Sequence, residues 1–341
     1  GTNHVLALKN DGTVWAWGYN NYGQLGDNTQ ITRYTPVQVL SEDANSPLQD
    51  IIYIAAGTNY SVAVNKKGEV WTWGQNDYGQ LGDGTKTAKY TPVRVKANLS
   101  GIIKVACGIR HTVALKADGS VYTWGDNANG QLSDNTNSQR LIPVKVLETA
   151  DTYLSDAISI SASSYSTHIL KANGTVISSG LGTSGQLGNN GKVNTKLPVT
   201  AVGVGGTDTL TQIRNIKSGA NTTYALRKDG TVVAWGIGTS GELGNETFAN
   251  SLFPVEVVNH TQDGIMSNIL YIGAGANHGL AVEDTGYVEV WGLNNQKQVG
   301  DITIAKTSHP LYIGSKVVAV PSKVTMEIGD TQALKVSMQS F

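Results

Sequence analysis

Cysteine is nearly absent from this chain: Cys107 stands alone among 341 residues. One thiol excludes both a disulfide framework and a cysteine-rich metal site. Its setting, the apolar run Ile103-Lys104-Val105-Ala106-Cys107, reads as that of a small buried side chain. Charge is also scarce, with 15% of residues ionic and a net charge of −1. Such a balance offers no basic field for a phosphate backbone, so nucleic acid is not an expected partner. No apolar run approaches the ~18 residues that cross a bilayer, so no membrane span is expected. Signatures of catalysis are missing too. There is no Gly-x-Ser-x-Gly elbow, no phosphate-binding glycine loop opening a helix and no His-Glu-x-x-His. The expectation is a non-enzymatic protein that needs no cofactor.

Glycine, by contrast, is abundant, with 40 residues and no collagen-like triplet. Its placement is periodic. A turn glycine recurs at Gly12, Gly68, Gly119, Gly174, Gly230 and Gly286, at steps of 56, 51, 55, 56 and 56 residues. A repeat of that period marks a solenoid or propeller, in which each copy buries its core only against its neighbours. Within a copy, an alternating stretch such as Gly108 to Leu115 reads as a half-buried strand. An Asp-Gly or Asn-Gly turn follows, expected to be of the primed hairpin type. Next comes Val-x-x-Trp-Gly, as at Val14 to Gly18, then a loop leading to Gly-Gln-Leu-Gly. Eleven residues after each central Leu or Val stands a proline: Pro36, Pro92, Pro143, Pro198, Pro254 and Pro310. Each is expected to introduce an edge strand, where a missing N–H is tolerated. A last apolar run leads into the next copy. Four short antiparallel strands per copy predict an all-β fold, a β-propeller with six visible repeat copies.

Asp-Gly-x-Val-x-x-Trp-Gly, Gly-Gln-Leu-Gly, the following proline and Gly-x-x-His-x-x-Ala-Leu together resemble the regulator of chromosome condensation repeat, from residue 1 to about 318. The resemblance implies a β-propeller, usually of seven blades in that family. Six copies are present, so the reading is six blades closed by pairing of N- and C-terminal strands, or seven with one blade upstream of Gly1. After Pro310 the pattern stops, and Val324-Thr325-Met326-Glu327-Ile328-Gly329-Asp330-Thr331 resembles the opening of a bacterial immunoglobulin-like domain. The expected organisation is therefore a propeller over 1–318 and a tail over 319–341 that starts a second module. The tail's resemblance and the low charge point to a secreted or surface-exposed bacterial protein.

Candidate sites lie where copies differ. Position eight before the turn glycine holds His4, Tyr60, His111, Ser166, Thr222 and His278. All can hydrogen-bond, and three are not histidine, so a structural tie is expected there and no metal site. The Asp or Asn after Gly-Gln-Leu-Gly, at Asp27, Asp83, Asp134, Asn189, Asn245 and Asp301, could be read as a calcium position or as a turn residue bonding its own backbone. Length varies only between the proline and the next Gly-x-x-His. These loops carry Asp43, Asp50, Asp151, Tyr153, Asp208 and Asp263, either a mildly acidic binding face or merely solvated loops. A second candidate surface is the loop before Gly-Gln-Leu-Gly, with Tyr19, Tyr22, Tyr78, Asn76 and Asn127, residue types suited to adaptable contacts or to blade packing.

The functional expectation is an interaction scaffold that binds a protein or glycan through one propeller face. The alternatives come from the resemblance: a secreted inhibitor of an enzyme such as a β-lactamase, and guanine-nucleotide exchange on a small GTPase.

Overall fold

A computed structural model describes residues 1–96, 99–301, 303–313, 318–320 and 335–337. The alternating stretches and the Val-x-x-Trp-Gly stretches pair as expected into hairpins. In the first, β1 (His4–Leu8) lies antiparallel to β2 (Val14–Gly18), with Leu8 opposite Val14 and His4 opposite Gly18. The turn between them is not of the primed type. Gly12 N–H donates to the Lys9 carbonyl at 2.9 Å, and positive φ is confined to Gly12 at 81°. This is a turn finished by a left-handed glycine, the three-residue hairpin solution, whereas a primed turn needs positive φ at its first central residue or at both, here Asn10 and Asp11. The Asp11 carboxylate caps it, accepting from the Thr13 N–H and hydroxyl at 3.0 and 2.6 Å.

The outer strand β3 (Arg33–Gln38) contains Pro36 rather than starting at it, and runs along the edge of the sheet. Three strands thus form the first sheet. The second has four: β4 (Ile51–Ala56), β5 (Tyr60–Asn65), β6 (Val70–Gly74) and β7 (Lys89–Arg94). The third comprises β8 (Ile102–Cys107), β9 (His111–Lys116), β10 (Val121–Gly125) and β11 (Arg140–Lys145). The fourth comprises β12 (Ala157–Ala162), β13 (Ser166–Lys171), β14 (Val176–Gly180) and β15 (Thr195–Thr200). The fifth comprises β16 (Ile213–Ser218), β17 (Thr222–Arg227), β18 (Val232–Gly236) and β19 (Ser251–Glu256). The sixth comprises β20 (Ile269–Ala274), β21 (His278–Glu283), β22 (Val288–Leu293) and β23 (Lys306–Tyr312). Each sheet is an antiparallel meander of the kind that forms a propeller blade, and the chain adopts the all-β propeller class expected from its repeats.

The chain divides into two compact units, Gly1–Thr167 with Thr195–Pro198, and His168–Asn194 with Val199–Phe341. In the first unit the leading strand β4 packs against β8 and β8 against β12, and in the second β16 packs against β20. Their cores have one composition. Val62, Val64, Val70, Leu81, Val105 and Trp124 form one buried cluster of the first unit, and Tyr224, Val232, Leu243, Ile269 and Trp291 one of the second.

Two expectations concerning the ends stand differently. The closing pair of N- and C-terminal strands is not among the described pairings: β1 has β2 as its partner, and β24 (Val318–Val320) pairs with β25 (Lys335–Ser337). Most of the 319–341 tail, including Val324 to Thr331, lies outside the described residues.

Candidate functional site

The repeated residues are committed to holding blades together. The Trp73 indole donates to the Gln24 carbonyl at 2.9 Å and Trp124 to the Gln80 carbonyl at 2.8 Å, each 44 to 49 residues back in the chain. Hydroxyls of Ser61 and Thr112 bond the same two carbonyls at 2.8 and 3.0 Å. In the second unit Trp235 and Trp291 repeat the bond to Gln186 and Glu242, at 3.1 and 2.8 Å. Gly-Gln-Leu-Gly thus presents a carbonyl to the next copy's Trp-Gly. The fourth copy has Ser179 where the tryptophan belongs, and there the Thr167 hydroxyl bonds the Gln131 carbonyl at 2.7 Å.

The histidine register is a structural tie. His4 Nε2 lies 2.9 Å from Ser61 Oγ, His111 Nε2 3.2 Å from Thr167 Oγ1, and the Tyr60 hydroxyl donates to the His111 carbonyl at 2.5 Å. Burial pushes His111 down to about 4, and burial beside the N-terminal ammonium pushes His4 down to about 3, so both are neutral. His168, two positions off register, takes the role in the divergent fourth copy, bonding Ser178 Oγ at 2.9 Å and Thr223 Oγ1 at 3.2 Å.

The loop before Gly-Gln-Leu-Gly is a fixed knot, and at two positions it answers to the second of its two readings, packing within the blade. Asn76 and Asn127 are fully buried. Asn76 Nδ2 donates to Asp83 and to the Thr85 and Thr87 carbonyls at 3.1 Å, while its Oδ1 accepts from the Leu81 N–H at 3.0 Å. Asn127 makes the same set with Asp134, Thr136, Ser138 and Leu132. Asp27, Asp83 and Asp134 accept from the N–H two residues on at 2.9 to 3.1 Å, and so act as turn residues. Tyr19, Tyr22 and Tyr78 are half-buried on these knots, and the Arg110 guanidinium covers the Tyr78 ring at 4.3 Å.

The acidic candidates are exposed but do not come together as a cluster. Asp43 folds its own loop, accepting from Ser41 Oγ at 2.5 Å and the Asn45 N–H at 3.1 Å, which hold its carboxyl below the usual range. Asp263 is held down likewise by Thr261 Oγ1 at 2.6 Å and Asn259 Nδ2 at 2.7 Å. Asp208 has φ +54° at its loop tip, and Asp151 is exposed beside Thr149. Tyr153 is 59% exposed, with Lys145 Nζ 5.2 Å from its ring centroid. Asp50 has a left-handed φ of +57° and an exposed ion pair to Lys66 at 2.9 Å.

Asp50 also lines a groove of about 390 Å³ between the Ser41–Asp50 loop and the second sheet, with Glu42, Leu48, Lys66, Lys67 and Trp71. A wider, shallower depression of about 670 Å³ shares Glu42 and adds Asp83, Lys89, Arg94 and Lys96. The groove combines an aromatic floor, apolar Leu48 and ions of both signs, the mixture that protein-contact surfaces use. Trp71 escaped notice in the sequence because every copy's motif residues read as architecture. The signal available was its place: two residues before Trp73 it shares that residue's face of the strand, yet it stays half-buried at the strand's start, packed in part against the same core cluster.

Sequence reasoning also missed a cluster in the second unit. His260, Glu283 and Glu289 each bring a ligand-type atom within 4.8 Å of the others. Among the described residues no helix is long and apolar enough to cross a membrane.

The chain matches the RCC1-like domain over residues 1–200 and the regulator of chromosome condensation (RCC1) repeat over 229–282 and, in a second form, 213–242. The probable E3 ubiquitin-protein ligase HERC4 of Homo sapiens is 34% identical over 201 residues, 59% of this chain and 18% of that protein. The ultraviolet-B receptor UVR8 of Arabidopsis thaliana is 28% identical over 302 residues, 88% of this chain and 65% of the receptor. The chain therefore corresponds to under a fifth of HERC4's length and about two thirds of UVR8's. Human WBSCR16 superposes with a TM-score of 0.76 at 22% identity, covering 93% of this chain and 82% of that one. Saccharomyces cerevisiae Prp20p gives 0.75 at 22%, covering 93% and 77%. At such identity the likeness is one of fold. With a match running through residues 1–200 and the blade order to support it, the chain belongs to the RCC1-like domain family.

Proposed function

We propose that this domain is a non-enzymatic interaction scaffold that docks a protein partner on the face carrying the Ser41–Asp50 loop. The observation that carries the reading is the division of labour among residues. Trp73, Trp124, Gln24, Asn76 and His111 are buried in bonds between or within blades, while the groove residues Asp50, Lys66 and Lys67 are exposed, joined by the Lys66–Asp50 pair, and half-buried Trp71 rests only in part on the core. Prp20p, a neighbour in fold, is described by its binding to Gsp1p and histones, and yeast RCC1 (Prp20) by a complex with Kap60. Partners of that kind are proteins, and the mixed charge of the groove suits one.

On the same footing, we place the domain in a secreted or surface-exposed bacterial protein, with a propeller over 1–318 and a second module starting in the tail. The low charge and the immunoglobulin-like resemblance support this placement. Labelling of intact cells with an impermeant amine reagent tests it: the domain's lysines should react before lysis, and reaction only after lysis contradicts it.

The docking reading is tested by affinity capture with the folded chain and its Trp71→Ala, Lys67→Glu variant. Capture of a protein that the variant loses supports it. A glycan-array signal without protein capture would assign the face to carbohydrate. Inhibition of a β-lactamase, or accelerated guanine-nucleotide release from a GTPase, would replace it with the corresponding alternative.

A further inference from the structure

The sixth copy departs from the repeat at several positions that meet in space. Counting from the turn glycine, Glu283 stands where the other copies carry Lys9, Asn65, Lys116, Lys171 and Arg227. Glu289 stands where they carry Trp15, Trp71, Tyr122, Ile177 and Val233. His260 lies six residues after Pro254, where the earlier copies place Glu42, Asn98, Thr149 and Val204. Elsewhere this locus joins a cation to a ring or a carboxylate: Lys9 Nζ lies 5.8 Å from the Trp15 ring centroid, and Arg227 bonds Glu256 at 2.9 Å. In the sixth copy the apolar and the basic positions have both become carboxylates, and an imidazole has joined them.

Their surroundings leave one atom of Glu289 and one of His260 unsatisfied. Glu289 is 1% exposed on β22, opposite Tyr312 in the β22–β23 ladder. Its Oε2 has no hydrogen-bond partner, and neither has the buried Nδ1 of His260. His260 Nδ1 stands 3.6 Å from Glu289 Oε1, beyond a good hydrogen bond. Glu289 also meets the Glu283 carboxyl in a side-chain hydrogen bond, and two carboxyls packed together in the interior are costly unless they hold a proton or a cation between them. The outer groups meanwhile are oriented. The Tyr312 ring lies against His260 with centroids 3.8 Å apart, and its hydroxyl donates to Glu283 Oε1 at 2.9 Å. Thr285 Oγ1 donates to Glu283 Oε2 at 2.7 Å. Ligands held by such partners are a mark of metal sites.

We propose that His260, Glu283 and Glu289 form a binding site for a single divalent cation of the zinc class. One imidazole and two carboxylates, with ligand atoms no more than 4.8 Å apart, match the ligand types and number of a zinc site that keeps a position for water. The imidazole disfavours calcium and magnesium, which take oxygen ligands. Bound there, the ion ties the loop bearing His260 to β21 and β22, a staple at a point where the other copies use packing or an ion pair.

The test is equilibrium dialysis of the full chain against Zn²⁺, with Co²⁺ absorption as a spectroscopic reading of the ligand set. Expected are one ion per chain, visible-region Co²⁺ bands of low-coordinate type, and a rise in Tm on adding Zn²⁺. Glu289→Gln should fold, since the amide keeps the side chain's shape and carries no charge into the interior, yet bind more weakly by at least the roughly 10–100-fold that follows loss of even a supporting group. His260→Ala, in a half-buried loop, should lose affinity in parallel and abolish the Co²⁺ bands. Absence of stoichiometric binding, affinity for Zn²⁺ unchanged in either variant, or a preference for Ca²⁺ over Zn²⁺ would each overturn the proposal.

Discussion

At the scale of single residues, the most consequential groups are buried and neutral. His111 has a folded pKa of about 4 against an ordinary 6.5, because burial disfavours the imidazolium. A group whose pKa is lowered on folding binds more protons when unfolded. Its contribution is therefore complete above pH 6.5 and is lost as the pH falls toward 4, with a limit of about 3 kcal/mol. His4, at about 3, acts in the same direction. Thermal melts between pH 7 and 4 should show Tm falling steeply below pH 6.5, and His111→Gln should flatten that slope while lowering Tm at pH 7. An unchanged slope in the variant would contradict the assignment. The indole bonds invite a milder test. Trp124→Phe removes the donor to Gln80, but Thr112 still bonds that carbonyl at 3.0 Å. The loss in urea unfolding should exceed the roughly 1 kcal/mol net worth of one hydrogen bond, because the smaller ring also leaves a gap in the buried cluster.

At the scale of elements, the turn glycine at Gly68 and Gly119 is required by its neighbour as much as by its own conformation. Gly68 has φ +71°, and a Cβ there would stand 2.4 Å from the backbone N of Gly101, where the chain enters the next blade. Gly205 shares a positive φ of +81° but has nothing within 4 Å of its would-be Cβ. Gly205→Ala should cost only the ~1–2 kcal/mol of the left-handed conformation, and Gly68→Ala clearly more, since two backbones must part. Equal losses in denaturant melts would show that conformation alone fixes the glycine. Much of this architecture is legible in the spacing of Gly12, Trp17, Leu25 and Pro36, because residues within one copy meet at fixed separations. The turn type was not, since Asp11-Gly12 suits both a primed turn and the observed one. Nor was the bond from Trp73 to Gln24, whose partners lie 49 residues apart. Asn76 and Asn127 looked like contact residues because Asn is common in both knots and binding loops. Glu289 was legible only by comparing its position with Trp15 and Trp71 across copies.

At the scale of the whole molecule, stability rests on what the copies share, and the proposed recognition on what they do not. Asp43 and Asp263 show the limit of reading recognition from composition. Each is a loop acid whose carboxylate is spent on its own loop's N–H or hydroxyl groups. The groove of Trp71, Asp50, Lys66 and Lys67 carries a lighter internal duty, the exposed Lys66–Asp50 pair, worth about 0–1 kcal/mol, and the partial packing of half-buried Trp71 on the core. Substitutions there should therefore separate binding from folding. The most direct measurement is quantitative capture of a partner by the wild type and by the Trp71→Ala, Lys67→Glu variant, with melting curves recorded on the same samples. The account predicts loss of capture at least tenfold with Tm changed by no more than a few degrees. Undiminished capture by a folded variant, or a loss of capture that merely follows a collapse in Tm, would contradict it.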